Sequence, residues 1–177
     1  MVYPDMHPLK VFNYCPKCGS NEFIKVPDSD RAKRCGKCSF TFYFNSSTAV
    51  AALIYDDENR LMLTQRAVEP FKGKFDLPGG FVDPLESVEN AISREIKEEL
   101  GVEVVELRYL GSFPNEYPFS GMVIFTIDLA FKVKIKSLKD LKPMDDISSI
   151  KFFHRHEIPY EQIPAYSIKN IIKKYAY

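Results

Sequence analysis

The residues of this chain that could do chemistry fall into two groups. The first is Cys15, Cys18, Cys35 and Cys38, the only cysteines, arranged as two C-x2-C pairs. Each pair sits in a short loop, Cys15-Pro16-Lys17-Cys18-Gly19 and Cys35-Gly36-Lys37-Cys38-Ser39, so four thiolates can converge in the closed tetrahedral set that a structural Zn²⁺ takes. Two disulfides and a rubredoxin-like iron site are the competing readings, and a reducing cytosol disfavours the first. A segment of about 40 residues buries too little apolar surface to hold itself together, so the metal's first role there is folding. The second group is Glu86, Arg94, Glu95, Glu98 and Glu99. On a helical wheel starting at Val88, Ile92 lies at about 40°, Glu99 at about 20°, Glu95 at about 340° and Glu98 at about 280°. Two glutamates therefore share the apolar stripe, and residues three or four apart are neighbours. Carboxylates crowded in a half-buried place need a cation. Arg94 can hold one in a bidentate fork, and a hard divalent ion, Mg²⁺ or Mn²⁺, suits the oxygen ligands. A solvated acidic helix is the alternative that the wheel leaves open.

These groups need positioning elements. Residues 22–26 and 40–44 read as short strands beside the cysteine loops, a pattern that resembles a zinc ribbon. Residues 48–55 read as a buried strand, closed by the turn 56–59, and residues 60–66 return as its hairpin partner. After a loop over 69–75 comes Asp76-Leu77-Pro78-Gly79-Gly80, then a helix over about 86–100 that stops at Gly101. Residues 102–113 and 122–135 read as strands joined by a turn-rich connection, 114–121. Residues 150–153 are a last strand, and Pro164 opens a terminal helix with Ile168, Ile171, Ile172 and Tyr175 on one stripe. There is no internal repeat, and the order is that of a mixed α/β domain.

Composition bounds the function. The 177 residues are 45% hydrophobic and 27% charged, which excludes disordered and fibrous classes. Twenty-four Lys plus Arg balance twenty-four Asp plus Glu, so no global field recruits nucleic acid or an anionic membrane. No apolar run reaches the ~20 residues of a membrane span, and residues 1–12 lack the features of a signal peptide. The expectation is a cytoplasmic protein without a membrane partner.

From Gly80 onward the chain fits G-x5-E-x7-R-E-U-x-E-E-x-G-U, where U is a bulky aliphatic residue, at Gly80, Glu86, Arg94, Glu95, Ile96, Glu98, Glu99, Gly101 and Val102. Chance would produce this on the order of once in 10⁸ chains of this length. The pattern is the Nudix box, and the chain resembles the Nudix hydrolases, which cleave a nucleoside diphosphate linked to another moiety X. The resemblance implies an α/β/α sandwich with a mixed sheet over residues 46–177, preceded by a zinc ribbon over residues 1–45. It also implies Glu98 and Glu99 as Mg²⁺ or Mn²⁺ ligands, Glu95 as a ligand or the group that activates water, Glu86 as a supporting carboxylate and Arg94 as an orienting partner. Gly79 and Gly80 let the loop pass close to the metal, with the Gly79 carbonyl a ligand in relatives.

A four-cysteine ribbon before the Nudix domain is the arrangement of the NADH pyrophosphatase subgroup. Its S-Q-P-W-P-F-P-x-S motif is matched in part by Ser112-Phe113-Pro114-Asn115-Glu116-Tyr117-Pro118-Phe119-Ser120. Phe113, Glu116 and Tyr117 are thus the candidate substrate-binding residues, with Phe75 or Phe81 as further rings for a base. Pro118 lies about where ADP-ribose pyrophosphatases of the family carry a proline, so NADH and ADP-ribose both stand as substrates. A coenzyme A hydrolase fits less well, because Leu77 replaces the Phe before its Pro-Gly-Gly. The downstream metal-binding glutamate of relatives falls near Ser149, leaving Asp146 as its first substitute. That gap motivates a nucleotide-sensing or scaffolding module without turnover. RNA cap hydrolysis, aided by Lys17, Lys25, Lys33, Arg34 and Lys37 of the ribbon, is the other alternative. The lysines at 132, 134, 136, 139 and 142 read as the exposed face of an edge strand. Family members are often homodimers, for which the strand 122–135 offers an interface.

Overall fold

The computed structural model describes residues 3–176, which group into two compact units. The first comprises residues up to Ser46 together with Glu116–Phe125. A short helix, α1 (Pro8–Val11), precedes three antiparallel strands, β1 (Phe23–Lys25), β2 (Ala32–Cys35) and β3 (Thr41–Tyr43), in that spatial order. Its core is small: Phe23, Cys15 and Cys35 are buried, with Phe12, Cys38 and Phe40 against them. Strand β2 escapes the sequence reading because Ala32-Lys33-Arg34-Cys35 has no apolar alternation. Lys33 is buried rather than displayed on a basic surface: its ammonium donates to the Phe12 carbonyl and lies 5.6 Å from the centre of the Phe23 ring.

The second unit, Ser47–Asn115 and Thr126 onward, holds two three-stranded sheets. One is ordered β4-β8-β7, with β4 Ser47–Leu53, β7 Val104–Phe119 and β8 Met122–Ile135; the tip of the β7–β8 hairpin belongs to the first unit. The other is ordered β6-β5-β9, with β5 Leu61–Arg66, β6 Phe75–Asp76 and β9 Ile147–Phe153. The pairing is mixed, since β4 runs parallel to β8 and β5 antiparallel to β9. Successive side chains of β4 go to opposite faces. Val50, Ala52 and Ile54 meet helix α2 (Val88–Leu100), and Ala51 and Leu53 meet helix α3 (Tyr166–Tyr175). A strand buried on both sides reads as one unbroken apolar run, which is how 48–55 appears in the sequence.

Three expectations are corrected. Strands β4 and β5 do not form a paired ladder: a Tyr55–Leu61 bridge and the Met62 amide on the Ile54 carbonyl link them beside the turn, and each strand joins a different sheet. The segment 114–119 is strand, and the turn shrinks to Ser120-Gly121. β7 is the outer strand of its sheet, where proline can sit without removing a ladder hydrogen bond. β8, flanked by β4 and β7, is not an edge, so Lys132 and Lys134 do not guard one and β8 offers no free edge for an interface.

Candidate active site and metal centre

Helix α2 opens with the Ser87 hydroxyl accepting from the Asn90 amide at 3.3 Å and closes at Gly101, whose φ of 72° suits glycine. Ala91, Ile92, Ile96 and Leu100 are fully buried, and Glu99, on the same stripe, is only 9% exposed. The loop before the helix runs antiparallel along β4. Val50 donates to the Gly80 carbonyl and Ala52 to the Pro78 carbonyl, both at 2.8 Å. This fixes the diglycine turn above the helix. Gly79 has φ 142°, and a Cβ there would lie 2.1 Å from the Val50 carbonyl oxygen. At Gly80 a Cβ would lie 2.5 Å from Oε1 of Glu95. Gly79 has no room for a side chain against the Val50 backbone, and one at Gly80 would displace the Glu95 carboxylate.

Arg94 is the hub of the acidic cluster. Its Nε and Nη2 hold Glu86 in a fork at 3.0 and 2.9 Å, its Nη1 donates to Glu95 at 2.8 Å and Glu98 at 3.0 Å, and Nη2 also reaches the Phe81 carbonyl. The fork holds Glu86 below the usual carboxylate range. Burial raises Glu95 in spite of Arg94. Glu99 accepts instead from the Gly79 amide at 2.9 Å. Burial pushes its carboxyl up to about 9, against that hydrogen bond. One guanidinium thus serves three carboxylates, and the fourth is neutral at pH 7.

Behind Glu99 lies a layer that the sequence reading does not single out. Asp76 is pushed up to about 6 by burial, opposed by Arg66, whose Nη1 is 3.6 Å from Oδ2. Asp128 on β8 is buried between the hydroxyls of Thr126 and Ser167. The Asp-Leu-Pro-Gly-Gly run was the available signal for Asp76, since an acid sits there between two buried residues, Phe75 and Leu77.

The other candidates are placed as follows. Asp146 is exposed and adjoins β9, and its main chain accepts from the Ala67 amide. Ser149, where the downstream glutamate would fall, donates to Oε1 of Gln65 at 2.9 Å. Phe113 packs edge-on against Tyr175. Glu116 and Tyr117 belong to the first unit, where Glu116 accepts from the Tyr3 amide and Tyr117 stacks on Phe119. Phe75 is a core residue against Phe153, while Phe81 is 40% exposed.

In the first unit the four thiols lie within 4.8 Å of one another, with Cys15–Cys38 and Cys18–Cys35 sulfurs at 3.7 Å. That is too far for disulfides. It matches the ~3.8 Å edge of a tetrahedron built on Zn–S bonds of about 2.3 Å. The Cys38 amide donating to its sulfur lowers Cys35 to about 7, which favours the thiolate that a metal takes. The cluster fits Zn²⁺.

The NUDIX domain profile matches residues 46–172. The chain belongs to the Nudix family. An ADP-ribose pyrophosphatase of Methanocaldococcus jannaschii is 35% identical over 140 residues, covering 77% of this chain and 76% of that one. The NAD-capped RNA hydrolase NudC of Vibrio vulnificus is 27% identical over 154 residues, 86% of this chain and 55% of the relative, so the chain spans about half the length of such Nudix relatives. A crystal structure of a NUDIX hydrolase from Nitrosomonas europaea superposes with a TM-score of 0.66 at 25% identity, covering 93% of this chain and 90% of that one. Nudix membership accounts for the α/β/α sandwich with its mixed sheet.

Proposed function

We propose that this protein is a divalent-metal-dependent hydrolase of a nucleoside diphosphate linked to X, with ADP-ribose and NADH as the substrate types. The observation that carries the reading is the charge imbalance around α2: Glu86, Glu95 and Glu98 share one arginine while Glu99 is buried against the diglycine amide. Glu98 and Glu99, with the Gly79 carbonyl, would hold Mg²⁺ or Mn²⁺; Glu98 would leave Arg94 to do so, and Glu99 would lose its proton. Bound there, the ion supplies charge neutralisation at phosphoryl oxygens and a lowered pKa for water. Arg94 keeps Glu86 and so fixes the α2 face against the loop. Glu95, half-buried, with its carboxyl raised and its position set by Gly80, takes the proton of the attacking water. The new P–O bond forms as the bridging P–O bond breaks, giving a nucleoside monophosphate and phosphorylated X. Residues 1–45 form a zinc ribbon with Zn²⁺ on Cys15, Cys18, Cys35 and Cys38, and residues 46–177 form the hydrolase domain.

ADP-ribose is the first of the two substrates. The M. jannaschii relative matches over three quarters of both chains, and Phe113, Asn115 and Glu116 depart from the NADH-selective motif. The test is a screen of ADP-ribose, NADH and an NAD-capped RNA with Mg²⁺, Mn²⁺ or Zn²⁺, with products identified by mass. Release of AMP from ADP-ribose or NADH, lost on Glu98→Gln, is the expected result. A second reading, nucleotide sensing without turnover, is favoured by the Ser149–Gln65 pair standing where relatives carry a metal-binding glutamate. Nucleotide binding with no product under any metal would select it.

A further inference from the structure

Among the buried acids, Asp128 on β8 takes no part in the α2 cluster. It is 6% exposed, and its two oxygens accept from the hydroxyl of Thr126 at 2.7 Å and from that of Ser167. Both partners are neutral, so neither offsets the cost of burying its charge. One hydroxyl on each oxygen leaves a lone pair on each for a ligand. Main-chain pairing sets what stands beside it. Asp128 is in register with Ala49 of β4, and Ala49 is bridged on its other side to Phe81, just past the diglycine turn. Paired residues send their side chains to one face of a sheet, so Phe81, Ala49 and Asp128 form a row. Strands spaced about 4.8 Å apart put about 10 Å between the outer two, with only a methyl group between them. The next pair along this face, Ala51 and Ala130, is buried, whereas Ala49 is partly exposed and Phe81 is 40% exposed. The face therefore opens at Ala49 into a notch, with a ring on one side and a carboxylate on the other. Two residues before Phe81, the Gly79 amide holds Glu99. Asp76 feels the charge of Asp128, and Glu99 that of Asp76, so the notch adjoins the α2 carboxylates.

We infer that this notch takes the purine of the nucleotide, laid over Ala49 beside Phe81, and that Asp128 reads the 6-amino group of that purine. An acceptor in this place selects adenine, whose exocyclic nitrogen donates, and rejects hypoxanthine, whose O6 meets the carboxylate as acceptor against acceptor. Thr126 and Ser167 are positioning residues, which fix the carboxylate through their hydroxyls. The inference rests on the hydrolase reading and deepens it, since it assigns the base that the substrate carries and the side chain that distinguishes it.

The test is calorimetric binding of AMP and of IMP, which carry an amine and a carbonyl at that position, to the full chain with manganese. The proteins compared are the wild type, Asp128→Asn and Ala49→Leu. The wild type is expected to bind AMP at least about tenfold more tightly than IMP. Asp128→Asn, which can donate to O6, is expected to bring that ratio to about threefold or below, or to reverse it. Ala49→Leu fills the notch and is expected to lose both nucleotides while keeping manganese uptake on α2. Circular dichroism verifies that both variants remain folded. A wild type that binds AMP and IMP equally, or binds neither, overturns the inference. So does an unchanged ratio in Asp128→Asn, or unchanged AMP binding in Ala49→Leu. Neither probe needs turnover, so the two readings fail separately. Cleavage of ADP-ribose without AMP preference overturns the base assignment alone, and AMP preference lost on Asp128→Asn without cleavage of any diphosphate supports it while removing the hydrolase.

Discussion

The two candidate metal sites of this chain solve opposite problems. In the ribbon, four thiols already stand at the spacing of a tetrahedral ion, and the buried cluster there is Phe23 with two of those cysteines, Cys15 and Cys35. On α2 the carboxylates are drawn apart onto Arg94 and a backbone amide, and a full hydrophobic core lies underneath. The contrast teaches what each ion is for. A sulfur set without a core needs its ion to fold, whereas a charge-balanced acidic face over a core stands without one and can exchange ions and substrate.

The largest expected effect breaks the ribbon alone. Cys35→Ser, or stripping with a strong zinc chelator, removes binding energy of about 10 kcal/mol from a segment with little else. Hydrogen exchange is expected to lose protection across β1–β3 and keep it across β4–β9; equal loss everywhere would contradict the contrast. Next comes Glu98→Gln, which removes a ligand from a site that is stable without it. Turnover is expected to fall by about 10³-fold or more with the melting temperature nearly unchanged. Arg94→Ala should separate metal-free from metal-bound protein. It leaves Glu86, Glu95 and Glu98 uncompensated, costing about 2 kcal/mol in magnesium-free buffer, and less when magnesium is present, as chemical denaturation would measure.

The last effect is a pH dependence. Burial raises the Glu99 carboxyl from its ordinary 4.5 to about 9. Between those values the folded state holds a proton that the unfolded chain has released. Stability of the magnesium-free protein is therefore expected to fall as pH rises through that window, by more than about 1 kcal/mol. Glu99→Gln should flatten the slope, and thermal melts at stepped pH read both.

Much of this was legible in sequence because it is local. Ser87, Gly101 and the spacing of Ile92, Glu95 and Glu99 define α2 and its acidic stripe without reference to any other element. Cysteine spacing defines the ribbon in the same way. Strand partnership is not local: nothing between residues 48 and 66 says that β4 leaves β5 for β8. Pro114 and Pro118 read as turn residues until β7 is known to be an outer strand. Lys33 reads as part of a basic surface and Asp76 and Asp128 carry no separate signal; only the tertiary structure buries them beside a carbonyl, an arginine or hydroxyls. For Arg94 the sequence identified the partner class but not its reach, since one guanidinium touching three glutamates depends on the loop that brings Glu86 back over the helix.

The most direct test is a calorimetric titration of manganese into the full chain with its ribbon metallated, beside Glu98→Gln and Glu99→Gln. The account predicts manganese uptake by the wild type with release of a proton from Glu99 near neutral pH, visible as a heat that varies with buffer ionisation enthalpy. It predicts that both variants lose the uptake. Undiminished uptake in the variants, or none in the wild type even with ADP-ribose present, would contradict it.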